Sequence, residues 1–311
     1  MNSEKPVIDV DGLVVEYGRG KKKVRAVDDI SFRVHQGECV GFIGANGAGK
    51  TTTIKVLMGF LFPRSGNVSV FGESAGTVDS RRRIGYLPEV ALYYPFMKAR
   101  ELLELYGGLH GLSKTQLGEK IPRLLETLGL GGKSEILLKH FSKGMQQRLG
   151  IAQAIIAEPE ALVFDELSSG LDPVGRHDLR SVLLELKRRG RTIFFSSHEL
   201  TEVEALCDRV IMIHKGKIVT RATVQDLMKP LNVFEILFEI QDEKEMPGEV
   251  AKHSPVRENS LYRVLINDVE EYSRAVSALA SSGARIKSTS SKSRSLEDYF
   301  IDLVEKREGK K

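Results

Sequence analysis

The chain changes hydrophobic rhythm along its length. "VIDVDGLVVEY" and "ISFRV" place apolar residues at every second position, as strands of an antiparallel sheet with one wet face do. "ECVGFIG", residues 38–44, is instead a continuous apolar run, the pattern of a strand buried on both faces. A glycine-rich turn and a helical pattern follow it. "NVSVFG" and "RRIGYLP" predict two further short strands, and helical spacing then takes over from about Lys98 to Leu128. Beyond it the pattern alternates: a helix from Lys143, a strand "ALVFDE" (161–166), a helix from Pro173, a strand "TIFFSS" (192–197), a helix from Glu199 and a strand "RVIMIHKG". Strands alternating with helices imply a mostly parallel α/β core. The helical block, about residues 90–142, is read as an insertion in that core.

The character changes near Lys229-Pro230, which divides the chain into an expected large domain, 1–229, and a small α+β extension, 230–311. In the extension "VFEILFEI", "LYRVLI" and "RIKSTSS" read as strands. "VEEYSRAVSALASSG" reads as an amphipathic helix with Val269, Tyr272, Val276 and Leu279 on one face. Its "KSTSSKSRS" and "KREGKK" stretches read as solvated surface.

Composition narrows the class. Of 311 residues, 41% are hydrophobic and 28% charged, ordinary for a globular protein. A net charge of +4 suits a phosphate-bearing ligand and falls short of a nucleic-acid footprint, so no nucleic-acid partner is expected. Cys39 and Cys207 form no CxxC pair and read as reduced core residues. The start has no apolar targeting core, and no apolar run approaches the ~18 residues of a membrane span. A membrane role would therefore come through a partner.

Two motifs carry chemistry. "GANGAGKTT", residues 44–52, fits G-x-x-x-x-G-K-[ST], directly after the apolar strand and opening a helix. The glycines let backbone amides curl around an anion, and the helix N-terminus adds positive potential. In this reading Gly44, Ala45, Asn46, Gly47, Ala48, Gly49 and Thr52 line a nucleotide-phosphate loop, Lys50 reaches the outer phosphates and the Thr51 hydroxyl ligates Mg²⁺. Asp165 and Glu166 end a buried strand, expected to be a parallel neighbour of the loop strand, where two adjacent carboxylates are costly without a partner. Alternation along a strand points them to opposite faces, which predicts separate roles. Asp165 is assigned to the Mg²⁺ shell and Glu166 to the attacking water.

Taken in order, "GANGAGKTT", "FSKGMQQR", "LVFDE", "SGLD" and "SSH" resemble the ATP-binding cassette (ABC) ATPases over roughly residues 5–225. The resemblance implies an α/β fold: a P-loop NTPase core with an antiparallel β subdomain and a helical insertion, plus the small α+β C-terminal domain. It implies ATP and Mg²⁺ as cofactors. It makes Ser142, Lys143, Gly144, Met145 and Gln146 a signature that caps ATP held by another subunit, so that two copies of this chain sandwich two nucleotides. Ser169, Gly170, Leu171 and Asp172 match a loop along that dimer interface. His198 matches the switch histidine that reads the γ-phosphate. Tyr17 matches the aromatic that stacks on adenine, with an ordinary core or surface tyrosine as the alternative.

"IGYLPEV" departs from the usual family pattern, placing Glu89 where a glutamine links metal and water to the helical insertion. A carboxylate there could ligate Mg²⁺ directly and would raise the metal requirement of the site. Glu89, the "SKGMQQR" signature and the short tail are similar to the drug- and polysaccharide-type exporter branch. The expected function is thus the ATPase subunit of an exporter, working at the cytoplasmic face of the membrane with an integral membrane permease. A soluble cassette ATPase acting on ribosomes or DNA is the alternative; it would need tandem cassettes or a long coiled-coil insertion. For the extension, dimer support, inert packing and regulation stay open, as does the cargo.

Overall fold

The computed structural model describes residues 5–18, 23–168, 171–228, 230–240, 246–293 and 295–307. The chain divides into two compact units between Val224 and Gln225, ahead of the proline that marks the change in sequence. The reason is pairing: strand contacts of the first unit run to Thr223, opposite Arg209.

Two sheets form the first unit. Val24–Val34 (β2), Ile8–Tyr17 (β1), Ser65–Val70 (β4) and Glu73–Ser74 (β5) make an antiparallel sheet in the order β2-β1-β4-β5. Lys217–Thr223 (β10), Arg209–His214 (β9), Cys39–Ile43 (β3), Thr192–Ser197 (β8), Ala161–Phe164 (β7) and Ile84–Leu87 (β6) make a six-stranded sheet in the order β10-β9-β3-β8-β7-β6. All of its neighbours run parallel except β10, which turns back on β9. The core strands β3, β7 and β8 are buried at every position, which is why β3 and β7 are unbroken apolar runs and β8 carries its apolar residues, Ile193 to Phe195, without alternation. The helices are Lys50–Leu57 (α1), Val78–Arg82 (α2), Ala99–Leu109 (α3), Lys114–Thr127 (α4), Lys143–Ile155 (α5), Pro173–Arg188 (α6) and Leu200–Leu206 (α7), with Val224–Leu227 (α8) at the division. Helices α3 and α4 are the inserted block; α4 opens on a capping box between Ser113 and Gln116, and at α3 the Glu101 carboxylate accepts the Lys98 amide.

The order of the parallel sheet corrects one expectation. The strand carrying the two acids, β7, is not the neighbour of the loop strand β3, because β8 lies between them. Local hydrophobic pattern gives the existence of parallel strands but not their order. Cys39 and Cys207 are both buried and unbridged, and burial pushes the Cys207 thiol up.

In the second unit, Val256–Glu258 (β12), Leu261–Ile266 (β13), Pro230–Glu239 (β11) and Arg285–Ser293 (β14) form an antiparallel sheet in the order β12-β13-β11-β14. Gly248–Ala251 (α9), Val269–Ser281 (α10) and Leu296–Arg307 (α11) complete it. Ala275 and Leu279 of α10 are fully buried, with Tyr272 and Val276 packed beside them. Val269 corrects the expected stripe: it stands at the first helical position and is exposed, because Asp268 caps the amides of Glu270 and Glu271 there.

The two sheets of the first unit share one core, keyed by a triangle of phenylalanines. Phe32 of β2, Phe42 of β3 and Phe194 of β8 meet with ring centroids 5.6 Å apart in all three pairs. Removing one ring leaves a cavity that the rigid strands on either side cannot close. Phe194→Ala is therefore expected to cost about 3–5 kcal/mol. Scanning calorimetry should show the unfolding midpoint of the first unit lowered by roughly 6–20 °C.

Candidate functional site

The loop after β3 is shaped by close backbone approaches. Gly49 precedes α1 with φ 112°, a conformation open to glycine, and a Cβ there would sit 2.7 Å from the Ala26 carbonyl oxygen. A Cβ on Gly44 would run into the Ile213 carbonyl of β9. The loop from Gly44 through Ala45, Asn46, Gly47 and Ala48 to Gly49 is thereby pressed onto β2 and β9 and turns into α1. That helix has no side-chain cap and no acid in its first turn, so its leading amides suit an anion. Lys50 folds back over the loop, its Nζ donating to the Gly44 carbonyl at 2.6 Å and to the Ala45 carbonyl at 3.3 Å.

The acids converge on this loop. β7 ends at Phe164, and Glu166 has φ 49°, so the chain leaves strand geometry before the second acid. Opposite faces were expected; instead both carboxylates meet α1. Asp165 Oδ1 accepts from Thr51 Oγ1 at 3.2 Å, and Glu166 Oε1 lies 2.9 Å from Lys50 Nζ in an ion pair whose side chains are 8% and 5% exposed. Each acid nonetheless meets a different partner, Asp165 the Thr51 hydroxyl and Glu166 the Lys50 ammonium. Glu166 Oε2 is 2.6 Å from His198 Nδ1, just beyond β8.

A residue that sequence reading did not single out joins the pair. Ser196 of β8, fully buried, donates to Asp165 Oδ1 at 2.6 Å and accepts the Glu166 amide at 2.9 Å. Its signal was present: a polar residue inside the apolar run "TIFFSS" must find partners. Burial raises the Asp165 carboxyl above the usual aspartate range, with the Glu166 charge adding to the rise, while hydrogen bonds from Ser196 and Thr51 pull the other way.

The remaining candidates are distributed around this centre. Tyr17, at the end of β1, is 41% exposed with its hydroxyl 3.3 Å from Thr52 Oγ1, beside the loop helix. Glu89 is exposed in the turn after β6, and among the described residues no hydrogen bond or ion pair ties it to Thr51 or Asp165. Ser142 caps α5, accepting the Met145 amide at 3.2 Å, so Lys143 and Gly144 stand in the first turn and Gln146 directly after. The α-carbon of Gly144 faces Leu171, where an added Cβ would meet Leu171 Cδ2 at 3.7 Å. Gln147, also not singled out, is buried and donates to the Leu167 carbonyl, tying α5 to the segment after Glu166. Asp172 caps α6 through the Gly175 amide at 2.9 Å. Ser169 and Gly170 lie outside the described residues.

An anion-binding loop, an ammonium, a hydroxyl–carboxylate pair of hard oxygens and a second carboxylate paired with an imidazole are parts for cleaving a phosphoanhydride. The ABC transporter family profile matches residues 27–169. The chain is 36% identical over 288 residues to an ABC transporter ATP-binding protein of Synechocystis sp., covering 92% of this chain and 80% of that one. The chain belongs to the ABC transporter ATP-binding proteins. It is also 34% identical over 305 residues to the bacitracin transport ATP-binding protein BcrA of Bacillus licheniformis, covering 96% of this chain and 97% of that one. A solved ATP-binding subunit of an ABC transporter superposes with a TM-score of 0.65 at 33% identity, covering 72% of this chain and 92% of that one. The protein is thus an ATP-binding subunit of the ABC transporter family and an ATPase, with the P-loop NTPase fold.

Asp165 gives a test of the site's electrostatics in this ABC ATPase. A carboxyl whose proton affinity is raised by folding contributes stability in its protonated form, and that contribution is lost as pH rises through its folded pKa. Asp165→Asn should therefore unfold at a higher temperature than the parent at pH 7 without nucleotide. The gap should shrink as pH falls below about 4, where an aspartate is neutral in both states. Thermal melts of the pair across pH measure it.

Proposed function

We propose that this ATPase subunit powers export through a separate membrane permease, two copies closing around two ATP molecules and reopening after hydrolysis. The observation that carries the reading is the single contact chain from Thr51 through Asp165 and Ser196 to Glu166, with Lys50 and His198 on either side of Glu166. Lys50 holds the outer phosphates from the loop that the backbone amides line. Glu166 takes the proton of the attacking water, and His198 orients Glu166 through its Nδ1 contact. Tyr17 offers its exposed ring to the adenine. Thr51 and Asp165 fit Mg²⁺: their oxygens stand 3.2 Å apart, close to the ~3 Å between adjacent ligands of an octahedral ion with ~2.1 Å bonds. Bound there with the nucleotide, the ion would neutralise charge on the phosphates.

Ser142 and the amides at the start of α5, with the Leu171–Asp172 loop, face the nucleotide of the second copy. The exposed start of that helix, with donors and no acid in its first turn, supports this role. ATP closes the dimer only if it binds the closed state better, each tenfold preference supplying ~1.4 kcal/mol. The inserted block carries the motion to the permease. Supporting this is a cavity of about 630 Å³ lined by Phe60, Tyr86, Leu92, Tyr93 and Leu109, with Phe62, Tyr94 and Phe96 also exposed. Apolar surface of this extent suits a protein partner. Among the described residues no helix is long and apolar enough to cross a membrane, so the subunit would work at the cytoplasmic face by docking.

Glu166→Gln should keep ATP binding within a few-fold and lower turnover by about 10²–10⁴. Nucleotide binding and steady-state hydrolysis measure the two parts, and normal turnover would remove Glu166 as the base. Affinity capture of the tagged chain from gently solubilised membranes should return one multi-span protein at equal stoichiometry. Recovery with ribosomal or DNA-repair proteins instead would sink the transport reading.

A further inference from the structure

Arg176, in the first turn of α6, touches two parts of the site that are remote in sequence. Its Nε donates to the Leu171 carbonyl at 3.2 Å, and its Nη1 lies 3.1 Å from Glu199 Oε1. The same Glu199 oxygen is 3.9 Å from His198 Nε2, and His198 Nδ1 is 2.6 Å from Glu166 Oε2. A line of polar side chains, Arg176, Glu199 and His198, thus runs from the Leu171 loop to the carboxylate beside Lys50. Beneath it, the Glu202 carboxylate of α7 is 7% exposed and has the Ser168 hydroxyl, Arg176 and Arg180 around it. The segment after Glu166 and the segment after His198 are therefore joined twice, through Arg176 to Glu199 and through Ser168 to Glu202, with the Arg176 charge also acting on Glu202.

An open-surface ion pair would contribute under about 1 kcal/mol and do nothing else. Arg176 and Glu199 differ in two ways. Both are partly buried, and the guanidinium also grips a loop carbonyl, so its rigid fork fixes the loop and the acid in one mutual geometry. Moving the loop must then move Glu199 or break the fork.

We propose that Arg176 is a positioning residue for ATP hydrolysis, transmitting displacement of the Leu171–Asp172 loop by a docking second copy to Glu199 and hence to the His198–Glu166 pair. The proposal rests on the roles given above to Glu166 and His198. In the full chain, Arg176→Ala should lower kcat about tenfold, the size of coupling seen within one charged network. KM for ATP, ATP-driven dimerisation and the thermal midpoint should stay close to the parent's. Glu199→Ala should do the same, and the double variant should be no slower than the slower single, since both break one link. Arg176→Lys, keeping the charge without the fork, should recover only part of the rate.

Unchanged kcat in Arg176→Ala overturns the proposal. So do losses that multiply in the double variant, and so does a lower thermal midpoint with normal turnover per folded molecule. Glu166→Gln run alongside separates the two levels. If it is inactive while Arg176→Ala is normal, only the relay fails; if it turns over normally, the relay loses its end-point and both readings fail.

Discussion

Two adjacent carboxylates stand at the buried end of a strand, and each must be compensated where water cannot do it. The compensation is shared out. Asp165 is held by two hydroxyls, Thr51 and Ser196, while Glu166 is held by the Lys50 ammonium and lies against His198. Meeting both needs sets much of what surrounds them. The left-handed turn at Glu166 brings the second acid round to the loop. Strand β8 supplies from one hydroxyl an acceptor for the Glu166 amide and a donor to Asp165. The glycines that press the loop onto β2 and β9 bring Lys50 within reach of its acid.

What could be read from the sequence tracks how local each requirement is. The phosphate loop was legible because its demands, glycine at set positions and a lysine opening a helix, are all met within nine residues. The caps at Ser142 and Asp172 were consistent with the serine and aspartate that stand there. By contrast, the placing of β8 between β3 and β7 is set by sheet-wide packing and leaves no trace in any single segment. The positive φ of Glu166 falls on a residue type with no preference for it, so strand alternation was carried one residue too far. Ser196 was visible as a polar residue in an apolar strand, but which carboxylate it would meet was not. Val269 failed for a different reason, since periodicity places a residue on a helix face without saying whether a cap at that end leaves it in water.

The groups facing outward and the groups facing the loop are mechanically one piece. Gly144 at the start of α5 packs against Leu171, and Gln147 three residues on is bonded to the Leu167 carbonyl. From there only Glu166 remains before the ion pair with Lys50. α5 is thereby connected both to Leu171 and to the residue next to Glu166 through packed atoms and a hydrogen bond.

The strand order also bears on how the protein is made. As the chain leaves the ribosome, the glycine loop and Lys50 emerge early, yet the strand that holds β3 in place against β7, residues Thr192–Ser197, emerges only after most of the first unit. β3 gains its other flank later still, from Arg209–Met212. Until those segments arrive, Lys50 has no His198-bound acid to face and the loop has no β9 carbonyl to rest on. A nascent chain that ends before Arg209 therefore carries the glycine loop and Lys50 without both of the strands that flank β3 in the finished sheet.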